Sequence, residues 1–189
     1  LALERMRSVT AVLFDKTGTL TIGAPTVTSI ETTGSRSDDE VLALAAAAEA
    51  DSEHPLARAI VRAAEKREVS IPKSTDFTSS PAEGVTARVD GRTVSVGGPG
   101  MLARSGAAEL DAVDAWRDHG SIILHVLLDD EVIGALALDD EVRAESRQAV
   151  DALRELDITV VMITGDAEAV AHSVAAELGI DRVFAGVRP

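Results

Sequence analysis

Short apolar segments near the two ends of the chain predict three buried strands. They cover residues 11–14, 158–163 and 182–184. Runs of this length are typical of strands covered on both faces in a parallel sheet. Residues 142–155 and 168–178 carry apolar residues at helical spacing, and Gly179 ends the second of these helices. The alternation of strand and helix predicts an α/β fold built on a parallel sheet.

The middle of the chain has a different pattern, in which two helices precede a set of strands. A capping box at Ser37 opens a helix that ends near residue 50. Pro55 suits the first turn of a second helix, over residues 56–66. The dipeptide Asp90-Gly91 separates two alternating runs, as is typical of a tight β-hairpin. The other predicted elements are a helix near residues 108–117 and strands over residues 85–89, 92–96, 121–128 and 132–138.

These patterns divide the chain into two predicted domains. An α+β block with an antiparallel sheet, about residues 34–130, interrupts the α/β block. The α/β block then consists of residues 1–33 and residues 131–189.

Composition and charge exclude several classes of function. The chain has 189 residues, with 46% hydrophobic, 26% charged and only 2% aromatic, which leaves no stacking platform for single-stranded nucleic acid. The net charge of −14 disfavours nucleic acid and anionic membranes as partners. Without Cys, the chain has no disulfide, zinc finger or cysteine nucleophile. It has no apolar run long enough to span a membrane and no signal-peptide pattern, so we expect a soluble chain.

The strongest chemical signal is the heptapeptide DKTGTLT at residues 15–21, directly after the first predicted strand. In open α/β sheets, reactive groups lie at the carboxyl ends of strands. A carboxylate there, at Asp15, can attack phosphorus and form an acyl phosphate, while Lys16 supplies positive charge. The hydroxyls and backbone amides that follow suit a phosphoryl group.

This heptapeptide resembles the phosphorylation motif of P-type ATPases, the ion pumps of the haloacid dehalogenase superfamily. The resemblance implies a haloacid-dehalogenase-like, Rossmannoid parallel sheet in which Asp15 becomes phosphorylated and Lys16 and Thr17 complete the motif. Phosphatases of the superfamily carry a second Asp, a general acid/base, where this chain has Thr17. Without that base, hydrolysis of the aspartyl phosphate slows by roughly 10²–10⁴-fold. A long-lived phosphoenzyme suits a pump.

A second motif, TGD at residues 164–166, follows the second predicted parallel strand and precedes a helix. A hydroxyl, a glycine amide and a helix N-terminus together form an anion site. By resemblance to the family, Thr164 and Gly165 hold the phosphoryl group, and Asp166 organises the site around Lys16 and Mg²⁺. The Mg²⁺ would lie between the Asp15 carboxylate, the Thr17 carbonyl and the phosphoryl oxygens.

A third, weaker motif is DEVR at residues 140–143, which resembles the family's hinge motif. The resemblance implies that Asp140 and Arg143 contact the nucleotide. Alternatively, these residues are an exposed helix start in which Asp140 caps the helix. The sequence leaves both interpretations open.

The inserted block carries the SEHP tetrapeptide, residues 52–55, which matches the heavy-metal-transporting (type IB) branch of these pumps. The resemblance implies that His54 and Glu49 hold the adenine of ATP. By itself, a His before Pro at a helix start is more often a cap or a surface residue.

A glycine loop further on is similar to the nucleotide loop of the same branch. There Gly84 and Val85 are implied to approach the nucleotide through the backbone. The chain departs from the branch at Ala82, which replaces the first glycine of the loop, and at Gly98, which replaces an Asn. Both departures bear on the affinity for ATP.

The resemblance covers essentially the whole chain and implies a fragment of a larger pump. The family's next motif, GDGxND, and its actuator and transmembrane domains do not appear in the sequence. We therefore expect the ATP-binding and aspartyl-phosphorylation region of a heavy-metal pump on the cytoplasmic side of a plasma membrane. Its implied cofactors are ATP and Mg²⁺, and its implied partners are the pump's own membrane and actuator domains.

The cargo is expected to be copper, with zinc, cadmium and cobalt as alternatives, bound elsewhere in the pump. The fragment alone is expected to bind ATP with little or no activity. The alternative function is a free-standing phosphatase with residues 34–130 as its cap. A nucleotide-binding regulatory module is a third possibility.

Overall fold

A computed structural model describes residues 9–34, 36–81, 83–166 and 168–187. These residues form two compact units, one made of residues up to 24 and from 140 onward, the other of residues 25–139. In chain order the elements are β1 (Ala11–Asp15), β2 (Thr21–Thr32), α1 (Asp38–Glu49), α2 (Pro55–Lys66), β3 (Ser74–Ser80), β4 (Gly84–Val89), β5 (Arg92–Gly97), α3 (Pro99–Ser105), α4 (Val113–His119), β6 (Ile122–Leu128), β7 (Glu131–Val142), α5 (Ala144–Glu155), β8 (Thr159–Ile163), α6 (Glu168–Leu178) and β9 (Arg182–Phe184).

The first unit contains a parallel sheet with the strand order β1-β8-β9. In its register Leu13 lies beside Val161, and Asp15 lies beside Ile163. Helices α5 and α6 supply the apolar side chains that pack with the sheet. The buried residues of this core are Leu20, Val150, Val160, Met162, Ala171, Val174, Ala175, Leu178 and Ile180. The predicted α/β fold with a parallel sheet is confirmed. The prediction that its three strands are buried is correct only for β8 and wrong for β1 and β9, where Leu13 is 59% and Phe184 is 56% exposed.

The second unit contains a six-stranded sheet with the order β2-β7-β6-β5-β4-β3. Its pairs are antiparallel, as the hydrogen bonds from Thr33 to Ile133 and from Thr28 to Ala137 show for β2 and β7. The C-terminal part of helix α1 is buried around its whole circumference, because its four consecutive alanines, residues 45–48, are all 0% exposed. Such small side chains let α1 approach both α2 and the sheet closely.

Local sequence signals account for several elements of the second unit. Ser37 and Glu40 form the predicted reciprocal capping box at the start of α1. Asp90 and Gly91 both have positive φ, 49° and 80°, as a type I′ hairpin turn requires. The turn between β6 and β7 has the same character, with Asp129 at 49° and Asp130 at 67°.

Other elements differ from the prediction. The helix predicted near residues 108–117 begins later, at Val113, and ends at His119. Strands β2 and β3 and helix α3 were not predicted from the pattern. Strand β3 contains a single large apolar residue, Phe77, among Ser, Thr and Asp, so it carries no alternating signal. Helix α3 has only seven residues, although Pro99 and Gly106 mark its two ends.

The compact units divide the chain at other positions than the predicted domain limits. The divisions fall after Ala24 and after Asp139, whereas the pattern placed them after residues 33 and 130. The difference arises because β2 and β7 pair along residues 26–33 and 133–139 and so extend the second sheet.

In the described part of the chain, no helix combines the length and the hydropathy that crossing a membrane requires.

Candidate functional site

The two predicted phosphoryl motifs lie at the same edge of the parallel sheet. Asp15 is the last residue of β1 and pairs in register with Ile163, the last residue of β8. Thr164 follows directly, so both motifs begin at the carboxyl ends of adjacent parallel strands. The side chain of Asp15 is exposed there, as a nucleophile that meets a substrate must be.

Lys16 is the central cation of this edge, and it is only 4% exposed. Its Nζ lies 2.7 Å from Asp166 Oδ2 and 3.8 Å from Asp140 Oδ2. A buried ammonium needs such partners, because its desolvation costs several kcal/mol. The ion pair places Asp166 beside Lys16, and the role of Asp166 in organising the site stays a prediction.

Asp166 is held ionised by its neighbours. Its partial burial raises the pKa, but the hydrogen bonds from Lys16 and Thr164 outweigh that effect and leave the pKa below the usual range. Thr164 Oγ1 donates to Asp166 Oδ2 at 2.9 Å, and Asp166 N–H donates to Thr164 Oγ1 at 3.2 Å. The hydroxyl proton of Thr164 is therefore already directed at Asp166, within the motif itself.

The turn after Asp15 depends on glycine. Gly18 has φ +77°, in the region that favours glycine. Gly23 has φ +78°, and a Cβ there would lie 3.1 Å from Gly18 Cα, so the two glycines let the chain fold back closely. Thr17 is exposed in this turn beside Asp15.

Asp140 and Arg143 contact the same segment. Asp140 accepts hydrogen bonds from Thr21 Oγ1 at 2.6 Å and from Gly23 N–H at 2.9 Å. Arg143 donates from Nε to Thr21 O at 3.0 Å and from Nη2 to Gly18 O at 3.3 Å. Thr21 and Gly23 were not predicted as site residues, although Thr21 belongs to the heptapeptide.

Glu49, in the second unit, is a buried carboxyl at the end of α1. It is 6% exposed, and among the described residues its Oε2 has no hydrogen-bond partner. Burial raises its pKa to about 6, and a hydrogen bond from Ser52 offsets only part of that rise. Such a carboxyl is ready to accept hydrogen bonds from a ligand.

His54 caps helix α2, which is the alternative to an adenine contact that the sequence analysis gives for this residue. Its Nδ1 accepts a hydrogen bond from Leu56 N–H at 3.2 Å. The proton of the neutral ring therefore lies on Nε2. The side chain is exposed, so the cap leaves Nε2 available as a donor to a ligand.

The predicted glycine loop contains a pair of glycines that face each other across β4 and β5. Gly84 pairs with Gly97, and a Cβ on Gly84 would lie 2.6 Å from Gly97 Cα. Gly84 also has φ +138°, which L side chains rarely adopt. The side chain of Val85 is buried in the core, so only its backbone is available to a ligand. Ala82 lies outside the described residues.

The candidate residues thus form two groups, one in each compact unit. The first unit brings together Asp15, Lys16, Thr17, Asp140, Arg143, Thr164, Gly165 and Asp166. The second unit contains Glu49, His54, Gly84 and Val85.

The first group fits a Mg²⁺ ion shared with phosphate. Within the described residues, no cluster of three or more His, Cys, Asp or Glu side chains forms a complete cage. Asp140 and Asp166 are engaged with Lys16, which leaves the exposed carboxylate of Asp15 and the carbonyl of Thr17 as oxygen donors. Mg²⁺ commonly binds through one or two carboxylates together with substrate phosphates and water, which matches this donor set.

Comparison with known proteins identifies the family. A family model described as haloacid dehalogenase-like hydrolase matches residues 9–188. The chain is 43% identical over 188 residues to the copper-exporting P-type ATPase B of Archaeoglobus fulgidus, covering 100% of this chain and 27% of the relative. It is 41% identical to the probable cation-transporting P-type ATPase J of Mycobacterium tuberculosis, covering 100% of this chain and 30% of that protein. The chain thus spans less than a third of these relatives.

Solved structures agree with this assignment. A zinc-transporting PIB-type ATPase in its E2.Pi state superimposes with a TM-score of 0.89 at 38% identity, covering 98% of this chain and 30% of that chain. The catalytic CPx-ATPase domain CopB-B, in a study of nucleotide binding, gives a TM-score of 0.69 at 26% identity, covering 100% of this chain and 65% of that one. The predicted resemblance to heavy-metal P-type ATPases is confirmed.

Proposed function

Because the chain belongs to the haloacid dehalogenase-like hydrolase family, we propose that it is the ATP-binding and aspartyl-phosphorylation region of a P-type ATPase that translocates a heavy-metal cation. The observation that carries the proposal is the position of Asp15, exposed at the carboxyl end of β1 beside the buried Lys16. A carboxylate nucleophile and a fixed cation at one sheet edge suit transfer of a phosphoryl group.

In the proposed reaction Asp15 attacks the γ-phosphorus of ATP. A carboxylate oxygen forms a bond to phosphorus while the bond to the bridging oxygen breaks, and ADP leaves with that electron pair. Lys16, held by Asp166 at 2.7 Å, faces the developing negative charge from a fixed position. Bound Mg²⁺ would neutralise part of the phosphate charge, with Asp15 and Thr17 as its protein ligands.

The residue at position 17 argues against a free-standing phosphatase. Thr17 is exposed beside Asp15 and supplies no carboxylate that could activate water. The aspartyl phosphate is then hydrolysed slowly, which gives a pump time to change conformation before dephosphorylation. The relatives from Archaeoglobus fulgidus and Mycobacterium tuberculosis are also named as P-type ATPases and not as phosphatases.

We assign the adenine to the second unit. Glu49 Oε2, which has no hydrogen-bond partner among the described residues, is an acceptor suited to the adenine amino group. The Nε2–H of His54 is a donor suited to a ring nitrogen of adenine. The facing glycines Gly84 and Gly97 let β4 and β5 pack closely at the glycine loop, because a Cβ on either would meet backbone atoms of the facing residues and the side chain of Met101.

The proposed cargo is copper. Relatives similar to this chain are named as copper-exporting, silver-exporting and zinc/cadmium/lead-transporting pumps, so zinc and related ions are the alternatives. We place this region on the cytoplasmic side of the membrane, where ATP is available.

The test is phosphoenzyme formation by the intact protein that contains this sequence. With ATP labelled at the γ-phosphate and with Mg²⁺, we expect an acid-stable label that hydroxylamine removes, as an acyl phosphate requires. Asp15→Asn should abolish the label, while Asp151→Asn, a matched change on the surface of α5, should leave it unchanged. A label that survives Asp15→Asn refutes the assignment.

A further inference from the structure

Both carboxylate oxygens of Asp140 are already engaged by the segment of residues 16–23. Oδ2 accepts from the hydroxyl of Thr21 at 2.6 Å, and Oδ1 accepts from the amide of Gly23 at 2.9 Å. Oδ2 also lies 3.8 Å from Lys16 Nζ. The side chain of Asp140 is only 18% exposed. A carboxylate in this arrangement faces the protein and is not presented to a ligand.

Arg143 and its neighbour Ser146 hold the carbonyl groups of the same segment. Arg143 reaches Gly18 O and Thr21 O through its guanidinium, and its backbone amide donates to Leu20 O at 3.0 Å. The hydroxyl of Ser146, which is 6% exposed, donates to Leu20 O at 2.8 Å.

These contacts matter because the turn is irregular. Inside it, Thr17 and Gly18 depart from helical geometry, although Thr21 N–H donates to Lys16 O at its end. The groups that fix Gly18, Leu20, Thr21 and Gly23 come from residues 140–146, more than a hundred positions later in the chain.

We propose that Asp140 and Arg143 are positioning residues that hold residues 16–23 in the geometry for phosphoryl transfer, rather than contacts for the nucleotide. This inference rests on the proposed function, because the segment supplies Lys16 and Thr17 to the reaction. Loss of the contacts displaces these groups by fractions of an ångström and lowers the transfer rate. It leaves nucleotide affinity, which depends on the other unit, unchanged.

The test compares Asp140→Ala with Asp140→Asn in the intact protein. Asparagine keeps the shape, accepts from Gly23 and donates to Thr21, whose hydroxyl then turns to Lys16 O at 3.0 Å. We expect Asp140→Ala to slow phosphoenzyme formation by about tenfold or more and Asp140→Asn to restore most of that rate. The Kd for the non-hydrolysable analogue AMPPCP should stay within about twofold in both variants.

Hydrogen exchange gives a readout that does not depend on activity. In Asp140→Ala, amides in the peptide covering residues 16–24 should exchange faster, because Gly23 N–H loses its acceptor. Asp139→Ala is the matched control, since it removes the adjacent carboxylate, which accepts from Thr28 instead, and it should change neither rate nor exchange.

The outcomes separate the two claims. A tenfold increase in the AMPPCP Kd of Asp140→Ala, with normal exchange at residues 16–24, overturns the inference and makes Asp140 a nucleotide contact. If the wild-type protein forms no phosphoenzyme, the proposed function fails, while the exchange experiment still decides the positioning role. If Asp140→Ala does not fold, Thr21→Val removes the same contact from the other side, and unchanged exchange in that variant also overturns the inference.

Discussion

At the scale of single residues, burial and hydrogen bonding decide what a side chain can do. Glu49 and Asp166 are both carboxyls, yet burial raises the pKa of Glu49 to about 6, whereas hydrogen bonds from Lys16 and Thr164 overcome the effect of burial on Asp166 and lower its pKa. One acid therefore lacks a charged partner in the described structure, and the other is held as an anion beside a cation. This difference underlies the roles proposed for them.

The raised pKa of Glu49 predicts that stability falls with increasing pH. The folded state holds the proton up to about pH 6, while the unfolded state releases it near 4.5, so folding is favoured at low pH and loses that advantage as pH rises through 4.5 to 6. We expect Glu49→Gln to be more stable than wild type at pH 7.5, by about 1–2 kcal/mol. At pH 4.5 the two proteins should be nearly equal.

Denaturant unfolding of both proteins at the two pH values measures this difference. Glu65→Gln, an exposed change on α2, controls for the loss of a negative charge. A constant difference between Glu49→Gln and wild type across the pH range would contradict the assigned pKa.

His54 combines two roles that substitutions can separate. His54→Ala removes the acceptor that caps α2 and should cost about 1 kcal/mol of stability. His54→Asn keeps a capping acceptor and loses the imidazole. We expect both variants to weaken ADP binding about tenfold in calorimetry, near 1.4 kcal/mol, while only the alanine variant loses stability. Normal ADP binding by His54→Asn would assign His54 to the cap alone.

At the scale of elements, the turn between β6 and β7 depends on contacts with the neighbouring strand β5. Asp129 and Asp130 both have positive φ in the turn between β6 and β7. Asp129 accepts from Thr93 N–H at 2.8 Å and from Arg92 Nε at 2.7 Å, which ties the turn to β5. Asp130 also has a strained backbone, but its carboxylate accepts no hydrogen bond from the described residues.

This asymmetry predicts different effects of glycine on stability at the two adjacent positions. Asp130→Gly relieves a positive φ at no loss of contacts and should raise the free energy of unfolding by about 0.5–1 kcal/mol. Asp129→Gly relieves the same strain but loses both hydrogen bonds, so it should give no gain. Thermal unfolding of the two variants checks this, and equal stabilisation by both would show that the contacts of Asp129 are unimportant.

At the scale of the whole molecule, the residues proposed for nucleotide recognition and those proposed for phosphoryl chemistry lie in different compact units. Each unit has its own apolar core, and the second core combines the alanines of α1 with Val, Leu and Ile side chains of the sheet. We therefore expect a ligand that binds one unit to stabilise that unit and not the other.

ADP, which lacks the γ-phosphate, should therefore protect only the second unit. At 100 times its Kd, and without Mg²⁺, it should slow the slowest-exchanging amides of α1 and β4 by about 100-fold, because it binds the folded state alone. Peptides from β8 and β9 should be unaffected. In the control variant His54→Ala, the same ADP concentration should protect the amides of α1 and β4 less. Equal protection of both units would show that ADP does not bind where we propose.

Local chemistry explains which features could be predicted from the sequence. The capping box at Ser37, the Asp90-Gly91 turn and the position of DKTGTLT directly after a strand depend on residues within a few positions of one another. Strands β2 and β3 escaped prediction because their Thr and Ser residues give no apolar alternation, and their pairing depends on partners elsewhere in the sheet.

The sequence by itself determined the motifs, the parallel strands that carry them and the family to which they belong, because these are properties of residue type and short-range order. Only the tertiary structure decided which charges meet. Lys16 forms an ion pair with Asp166, which lies 150 positions later in the sequence. Asp140 accepts hydrogen bonds from Thr21 and Gly23, which lie more than 100 positions earlier. Such contacts depend on the order of the strands within a sheet and on the elements that cover them. Short-range sequence patterns do not determine that arrangement.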